Sequence, residues 1–183
     1  MEIFYKTRLA WANALLRRRI KKTFRNKKFN NIRNAHKIGI VWDGSYISDF
    51  KHIISLYQSM QSNNIQVDIV CYYPGKILPD EYTALRYLTC FKRSDLSFFY
   101  LPDKDYLNDF ISTPYEILID INFKNQFPLR YITALSKAEF KIGAGQTIDS
   151  NILDMTLEIS DKENIEFYLQ QVEHYLKMIN TGV

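Results

Sequence analysis

From Lys37 onward the chain alternates between two spacings of apolar residues, one of period two and one of helical period. Ile38-Gly39-Ile40-Val41-Trp42 predicts a short buried strand, closed by Asp43-Gly44-Ser45. Ile47, Phe50, Ile53, Ile54, Tyr57 and Met60 then fall at helical spacing, so a helix is expected to run to about Asn63 with Ser45 as its cap. Val67 to Tyr73 predicts a second strand, stopped by Pro74-Gly75. A helix is expected from Pro79 to about Lys92, with proline in its first turn, and a third strand from Leu96 to Leu101. Pro102-Asp103 opens a short helix through Phe110, and Glu116 to Ile121 reads as a fourth strand. Pro128 to Lys137 predicts a helix with Leu129, Ile132 and Leu135 inward. Phe140 to Gly143 and Met155 to Ile159 complete the strands. A long helix from about Lys162 to Ile179 closes the chain, with Ile165, Leu169, Val172, Leu176 and Ile179 as its stripe.

Short apolar strands alternating with amphipathic helices predict an α/β fold. Right-handed crossovers make it a three-layer, doubly wound, mostly parallel sheet, Rossmann-like or flavodoxin-like. The spacing does not give the strand order.

Three segments carry a resemblance. They are Val41-Trp42-Asp43-Gly44-Ser45, Leu118-Ile119-Asp120-Ile121-Asn122-Phe123, and Phe127-Pro128-Leu129-Arg130-Tyr131-Ile132 continued through Ser136-Lys137-Ala138 to Lys141-Ile142-Gly143. Together they resemble an uncharacterised family of small α/β proteins from Bacteroidota, over about Met1 to Asn180. The resemblance implies a bacterial cytoplasmic α/β protein and brings no catalytic residues with it. More loosely, Leu118 to Gly143 looks like a nucleotide-sugar-binding half-domain of certain glycosyltransferases, an analogy of fold alone.

Charge changes the picture more than composition does. Met1 to Lys37 holds twelve Lys or Arg against one acid, Glu2, whereas the rest of the chain holds twelve bases against nineteen acids. The formal total of +4 therefore conceals a strongly basic arm, residues 1–36, joined to an acidic α/β domain, residues 37–183. The arm lacks Pro and Gly and is long enough for a helix to about Asn34. Its basic core, Arg17-Arg18-Arg19-Ile20-Lys21-Lys22-Thr23-Phe24-Arg25-Asn26-Lys27-Lys28, spreads cations around a whole helix.

Three readings of the arm stand open. Dense cations without a single face, interleaved with Phe24 and Phe29, suit RNA or a ribonucleoprotein such as the ribosome. Arg17, Arg18, Arg19, Lys21, Lys22, Arg25, Lys27, Lys28 and Arg33 would then meet phosphates. A membrane-surface helix wants one clean apolar face, but Phe4, Trp11 and Leu15 lie opposite Leu9, Leu16, Ile20 and Phe24. Those clusters suit docking instead, with Phe4, Trp11 and Leu15 offered to a protein partner. The third reading is an arm folded along its own acidic domain.

Chemistry is sparse by comparison. Ligands of open α/β sheets bind beyond the carboxyl ends of the strands, which selects Asp43, Gly44, Ser45, Asp120, Asn122 and Gly145 as a possible pocket for a phosphorylated small molecule. The same residue types are also ordinary caps and turn formers. Gly143-Ala144-Gly145 matches only part of a dinucleotide fingerprint, and Gly75-Lys76 lacks the rest of a P-loop. His36, His52 and His174 fall at no predicted strand end, and no nucleophile elbow is present. No catalytic residue, metal or cofactor is expected. Asp103-Lys104-Asp105 reads as helix-opening charge. Cys71 and Cys90, the second expected in a helix, have neither CxxC nor CxH spacing and read as reduced cytoplasmic thiols. No apolar run approaches a membrane span, and Glu2, Lys6 and Arg8 break any signal peptide.

Overall fold

The computed structural model of the protein describes residues 2–83, 85–144, 152–158 and 164–179. Six strands form one all-parallel sheet: β1 Lys37–Asp43, β2 Gln66–Tyr73, β3 Leu88–Lys92, β4 Ile117–Ile121, β5 Phe140–Ala144 and β6 Met155–Leu157. Their order is β3-β2-β1-β4-β5-β6. The chain thus winds outward from β1 in one direction, returns to the centre, and winds outward from β4 in the other.

Period-two alternation sorts the strand side chains onto two covered faces. Ile38, Ile40 and Trp42 of β1, with Ile117, Ile119 and Ile121 of β4, pack under α2 (Phe50–Ser62) and α6 (Ile165–Met178). Val41, Val70, Phe91 and Leu118 face the other way. They pack against Leu107 and Phe110 of α4 (Asp105–Ser112) and Leu129 and Ile132 of α5 (Phe127–Leu135). The expected three-layer α/β sandwich is present, and every strand pair is parallel.

The N-terminal helix α1 (Glu2–Ile20) adds a further layer outside α5. Its Ala12 and Leu16 are buried with Phe127, Tyr131, Ala134 and Leu135 of α5 and with Tyr100, Leu101 and Ile152. This explains why α5 is buried on every side rather than along one stripe.

Several local expectations are corrected. The basic segment is not one helix to Asn34: α1 stops at Ile20, residues 23–31 are non-helical, and a short 3-10 turn covers Ile32–Asn34. Clustered like charges weaken a helix there, while hydrogen bonds from Arg25, Lys28 and Asn30 tie the chain to the domain. The helix expected from Pro79 to Lys92 shrinks to α3 (Asp80–Thr83), and its second half is β3, so Cys90 lies in a strand. Short apolar runs fit either period, and pairing with β2 decides the outcome here.

Leu96–Leu101 is no strand but a tight turn. Tyr100 has φ of +59°, and its N–H donates to Ser97 O at 2.9 Å. Its rings are apolar because they meet α1, Tyr5 on Tyr100 and Trp11 on Phe99. Ser45 caps no helix either, since α2 begins at Phe50 after a 3-10 turn at Ile47–Asp49.

Candidate functional site

Two places collect the polar residues singled out by the sequence, one at each end of the sheet. The basic segment crosses the end where the strands begin. Arg25 anchors it, donating to Ala138 O at 3.2 Å and Glu139 O at 3.0 Å and pairing with Asp154 Oδ1 at 2.6 Å. Lys28 N–H donates to Glu139 O at 3.2 Å. Buried Asn30 bridges the starts of β4 and β5, donating to Glu116 O and to Glu139 Oε2, each at 2.8 Å. Asn31 caps the 3-10 turn through Arg33 N–H and donates to Lys177 O and Ile179 O at the end of α6.

These anchors divide the nine predicted phosphate-contacting residues. Arg25 is a structural cation. Arg19 donates to the Tyr131 hydroxyl, and Lys27 lies 3.3 Å from Asp154 while remaining exposed. Arg17, Arg18, Lys21, Lys22, Lys28 and Arg33 are exposed and form no ion pair among the described residues. Phe24 stands between them at 86% exposure, and Phe29 at 64% rests one face on Phe140. An open groove of about 780 Å³ runs beside them, lined by Arg19, Lys22, Phe24, Arg25, Lys137 and Glu139 among others.

Of the trio expected to dock a partner, Phe4 and Trp11 are exposed, whereas Leu15 is half-buried against the α1–α5 cluster. Arg8, between them, donates to Phe98 O and lies over the rings of Phe98 and Tyr100 at 4.0 and 4.4 Å.

The opposite end of the sheet holds the crevice where winding reverses, between the ends of β1 and β4. Asp43 ends β1, nearly buried, and its Oδ1 accepts both the Ser45 N–H at 3.1 Å and the Ser45 hydroxyl. Burial raises its carboxyl above the ordinary range, while the bonds from Ser45, the charge of Lys124 and Gln126 hold the rise back. Lys124 Nζ donates to the Tyr46 hydroxyl at 2.5 Å and lies 3.9 Å from the ring centre. Lys124 and Gln126, on the loop after β4, are the pocket residues that the sequence reading missed. No local motif marks them, because the strand order alone brings that loop beside Asp43.

Asn122 staples its own loop: its Oδ1 accepts the Gln126 N–H at 2.7 Å and its Nδ2 donates to Gln126 O at 3.1 Å. Gly44 packs under the crevice with no room for a side chain, since a Cβ there would stand 2.4 Å from Cys71 Sγ. Asp120 is 2% exposed and points into the α5 layer rather than the crevice; its Oδ2 has no hydrogen-bond partner. Burial pushes its carboxyl up to about 6, tempered by the nearby Thr133 hydroxyl, the Asn122 N–H and the charge of Lys141. Gly145 lies outside the described residues. Among the described residues no group of three His, Cys, Asp or Glu is arranged to hold a metal, and no helix is long and apolar enough to cross a membrane.

A protein-family model described as a family of unknown function, DUF6913, matches residues 12–179. The chain belongs to this family. The matched span takes in the whole sheet, the anchored basic segment and both sides of the crevice, and it begins after Phe4 and Arg8. No curated protein matches the chain.

Proposed function

We propose that this member of DUF6913 is a non-enzymatic binding protein that holds RNA, or the RNA of a ribonucleoprotein such as the ribosome, on its basic N-terminal segment. One observation carries the reading: Arg17, Arg18, Lys21, Lys22 and Lys28 stay exposed around Phe24 on a segment fixed to the domain by Arg25 and Asn30. Cations whose only role was to neutralise the acidic domain would be paired with it, as Arg25 is. A pre-anchored strip also avoids much of the ordering entropy that a free tail loses on binding, and an exposed ring among cations suits stacking on an unpaired base. The proposed setting is a bacterial cytoplasm, in keeping with the two free thiols.

The test uses charge reversal rather than deletion, because Ala12, Leu16 and Ile32 are part of the core. Lys21→Glu, Lys22→Glu and Lys28→Glu together should weaken binding of a structured RNA steeply, leave the melting temperature unchanged, and remove about three units from the slope of log affinity against log salt. Salt-insensitive binding, or unchanged affinity in the triple variant, overturns the proposal.

A second reading rests on the strand order, which is that of the dinucleotide-binding, Rossmann-like sheet. At its reversal point Asp43, Ser45, Lys124 and Gln126 converge, which suits an enzyme or sensor taking a nucleotide or nucleotide sugar. Stabilisation by such ligands with Mg²⁺ in a thermal-shift screen, lost in Lys124→Ala, favours it; no shift with any of them removes it.

A further inference from the structure

Cys71 and Cys90 are the only cysteines of the chain, and the fold brings them side by side. They are direct register partners on the parallel strands β2 and β3. Register partners in a parallel pair project to the same face, with backbones about 4.8 Å apart. That spacing lies inside the window of about 4.4–6.8 Å between Cα atoms that a disulfide requires. Both thiols are free. Cys71 is fully buried, whereas Cys90 is only half-buried and donates weakly to Tyr82 O at 3.8 Å.

We infer that Cys71 and Cys90 form a reversible dithiol–disulfide pair, oxidised by a hydroperoxide, with Cys90 as the attacking thiol and Cys71 as the resolving one. Access sets the order of events, because the oxidant can reach only the half-buried sulfur. The Cys90 thiolate attacks the terminal peroxide oxygen, the O–O bond breaks, and the departing alkoxide takes up a proton to leave as an alcohol. Cys90 is then a sulfenic acid. The Cys71 sulfur attacks the Cys90 sulfur, the S–O bond breaks, and hydroxide leaves as water with the Cys71 proton. Two thiols and one hydroperoxide give one disulfide, one alcohol and one water. Burial, together with Cys90 beside it, holds the Cys71 thiol well above its ordinary range, so it stays protonated and does not compete with Cys90 for the oxidant.

The pair also bears on the crevice. Cys71 Sγ packs against Gly44, and the Tyr82 hydroxyl donates to Gly44 O at 3.1 Å. Drawing Sγ toward Cys90 removes support from the turn that carries Asp43 and Ser45. Trp42, packed edge-on to Tyr82 with centroids 5.1 Å apart, reports the shift. This inference does not depend on RNA binding.

The experiment exposes the full-length reduced protein to hydrogen peroxide and follows intact mass, titratable thiols and peptide maps. Titratable thiols should fall from two to none, with a mass loss of two hydrogens and a single Cys71–Cys90 peptide, all reversed by dithiothreitol. In Cys71→Ser, dimedone should trap a sulfenic acid on Cys90; in Cys90→Ser, Cys71 should remain a free thiol. With Trp11→Phe as background, Trp42 emission should change on oxidation and recover on reduction. Persistence of both thiols in the wild type, or disulfide-linked dimers in place of the internal bond, overturns the inference. Sulfenic acid on Cys71 in Cys90→Ser overturns the assigned order of attack.

Discussion

Arg25 and Asp154 form an ion pair at 2.6 Å, and each side chain is about nine-tenths buried. The pair fastens the start of the chain to the segment just before β6. Burial works to raise the Asp154 carboxyl, but the hydrogen bonds from Arg25 and the Lys141 N–H, with the charges of Arg25 and Lys27, outweigh it and leave it below the ordinary range. A depressed carboxylate contributes stability above its unfolded pKa and loses it as pH falls through the folded value. Removing one partner leaves the other buried and uncompensated. Arg25→Ala or Asp154→Ala should therefore cost roughly 3–5 kcal/mol, read as a lowered urea midpoint, and Lys27→Ala, on an exposed cation, almost nothing. Equal small losses in all three would refute the anchoring role.

Phe24 should behave oppositely. At 86% exposure it supports no core, so Phe24→Ala should leave stability within about 0.5 kcal/mol of wild type. If it stacks on a base, the same change should weaken binding of single-stranded or loop RNA by about 1–3 kcal/mol. It should leave the salt slope intact, because no charge is lost. Fluorescence anisotropy across a salt series separates this loss from the uniform weakening caused by charge reversal at Lys21 and Lys22.

What the sequence made legible follows the range of the forces involved. Ile38-Gly39-Ile40-Val41-Trp42 reads as a buried strand because both faces of β1 are covered by its own domain. Leu96–Leu101 looks equally apolar, but Phe99 and Tyr100 are covered by α1, nearly ninety residues earlier in the chain, while Phe98 stays exposed. Local periodicity cannot distinguish these two kinds of burial. The charge split was visible at once, whereas the division of its cations was not. Arg25 and Lys28 are alike in composition, and only the position of Asp154 across the fold makes one an anchor and leaves the other exposed. Lys124 shows the same limit at the crevice, where topology rather than sequence spacing makes it a neighbour of Asp43.

Gly44 is held by packing rather than by backbone conformation. A methyl group there would meet Cys71 Sγ at 2.4 Å and Tyr82 Cε2 at 3.1 Å. Gly44→Ala should destabilise by about 1–3 kcal/mol, the usual cost of overfilling a packed core. Because the clash is chiefly with one sulfur, Cys71→Ala should recover part of that loss in the double variant. A double-mutant cycle with no coupling between the two positions would show that the turn relaxes by another route.

The buried Asp120 should give the stability curve a distinctive shape. Its carboxyl is pushed from 3.8 up to about 6 by burial, against the moderating Thr133 hydroxyl, Asn122 N–H and Lys141 charge. The folded protein therefore holds a proton through a window in which the unfolded chain has lost it. Stability gained this way is complete below the unfolded pKa and disappears as pH rises toward 6. Lys141, whose Nζ donates to Thr133 O at 2.7 Å and Ala134 O at 3.2 Å, titrates in the opposite sense. Burial lowers it from 10.5 to about 7, so stability recovers as pH climbs between those values. In Asp120→Asn the fall between pH 4 and 6 should flatten, and at pH 7 the variant should exceed wild type by up to roughly 3 kcal/mol. Taking the difference between wild type and variant in urea titrations cancels groups that do not interact with Asp120, such as Asp154; Lys141, coupled to Asp120, adds its own change only as pH climbs toward 7 and above. An Asp120→Asn protein that is less stable than wild type at pH 7 would mean that the charged carboxylate is held by partners, and that burial does not set its protonation.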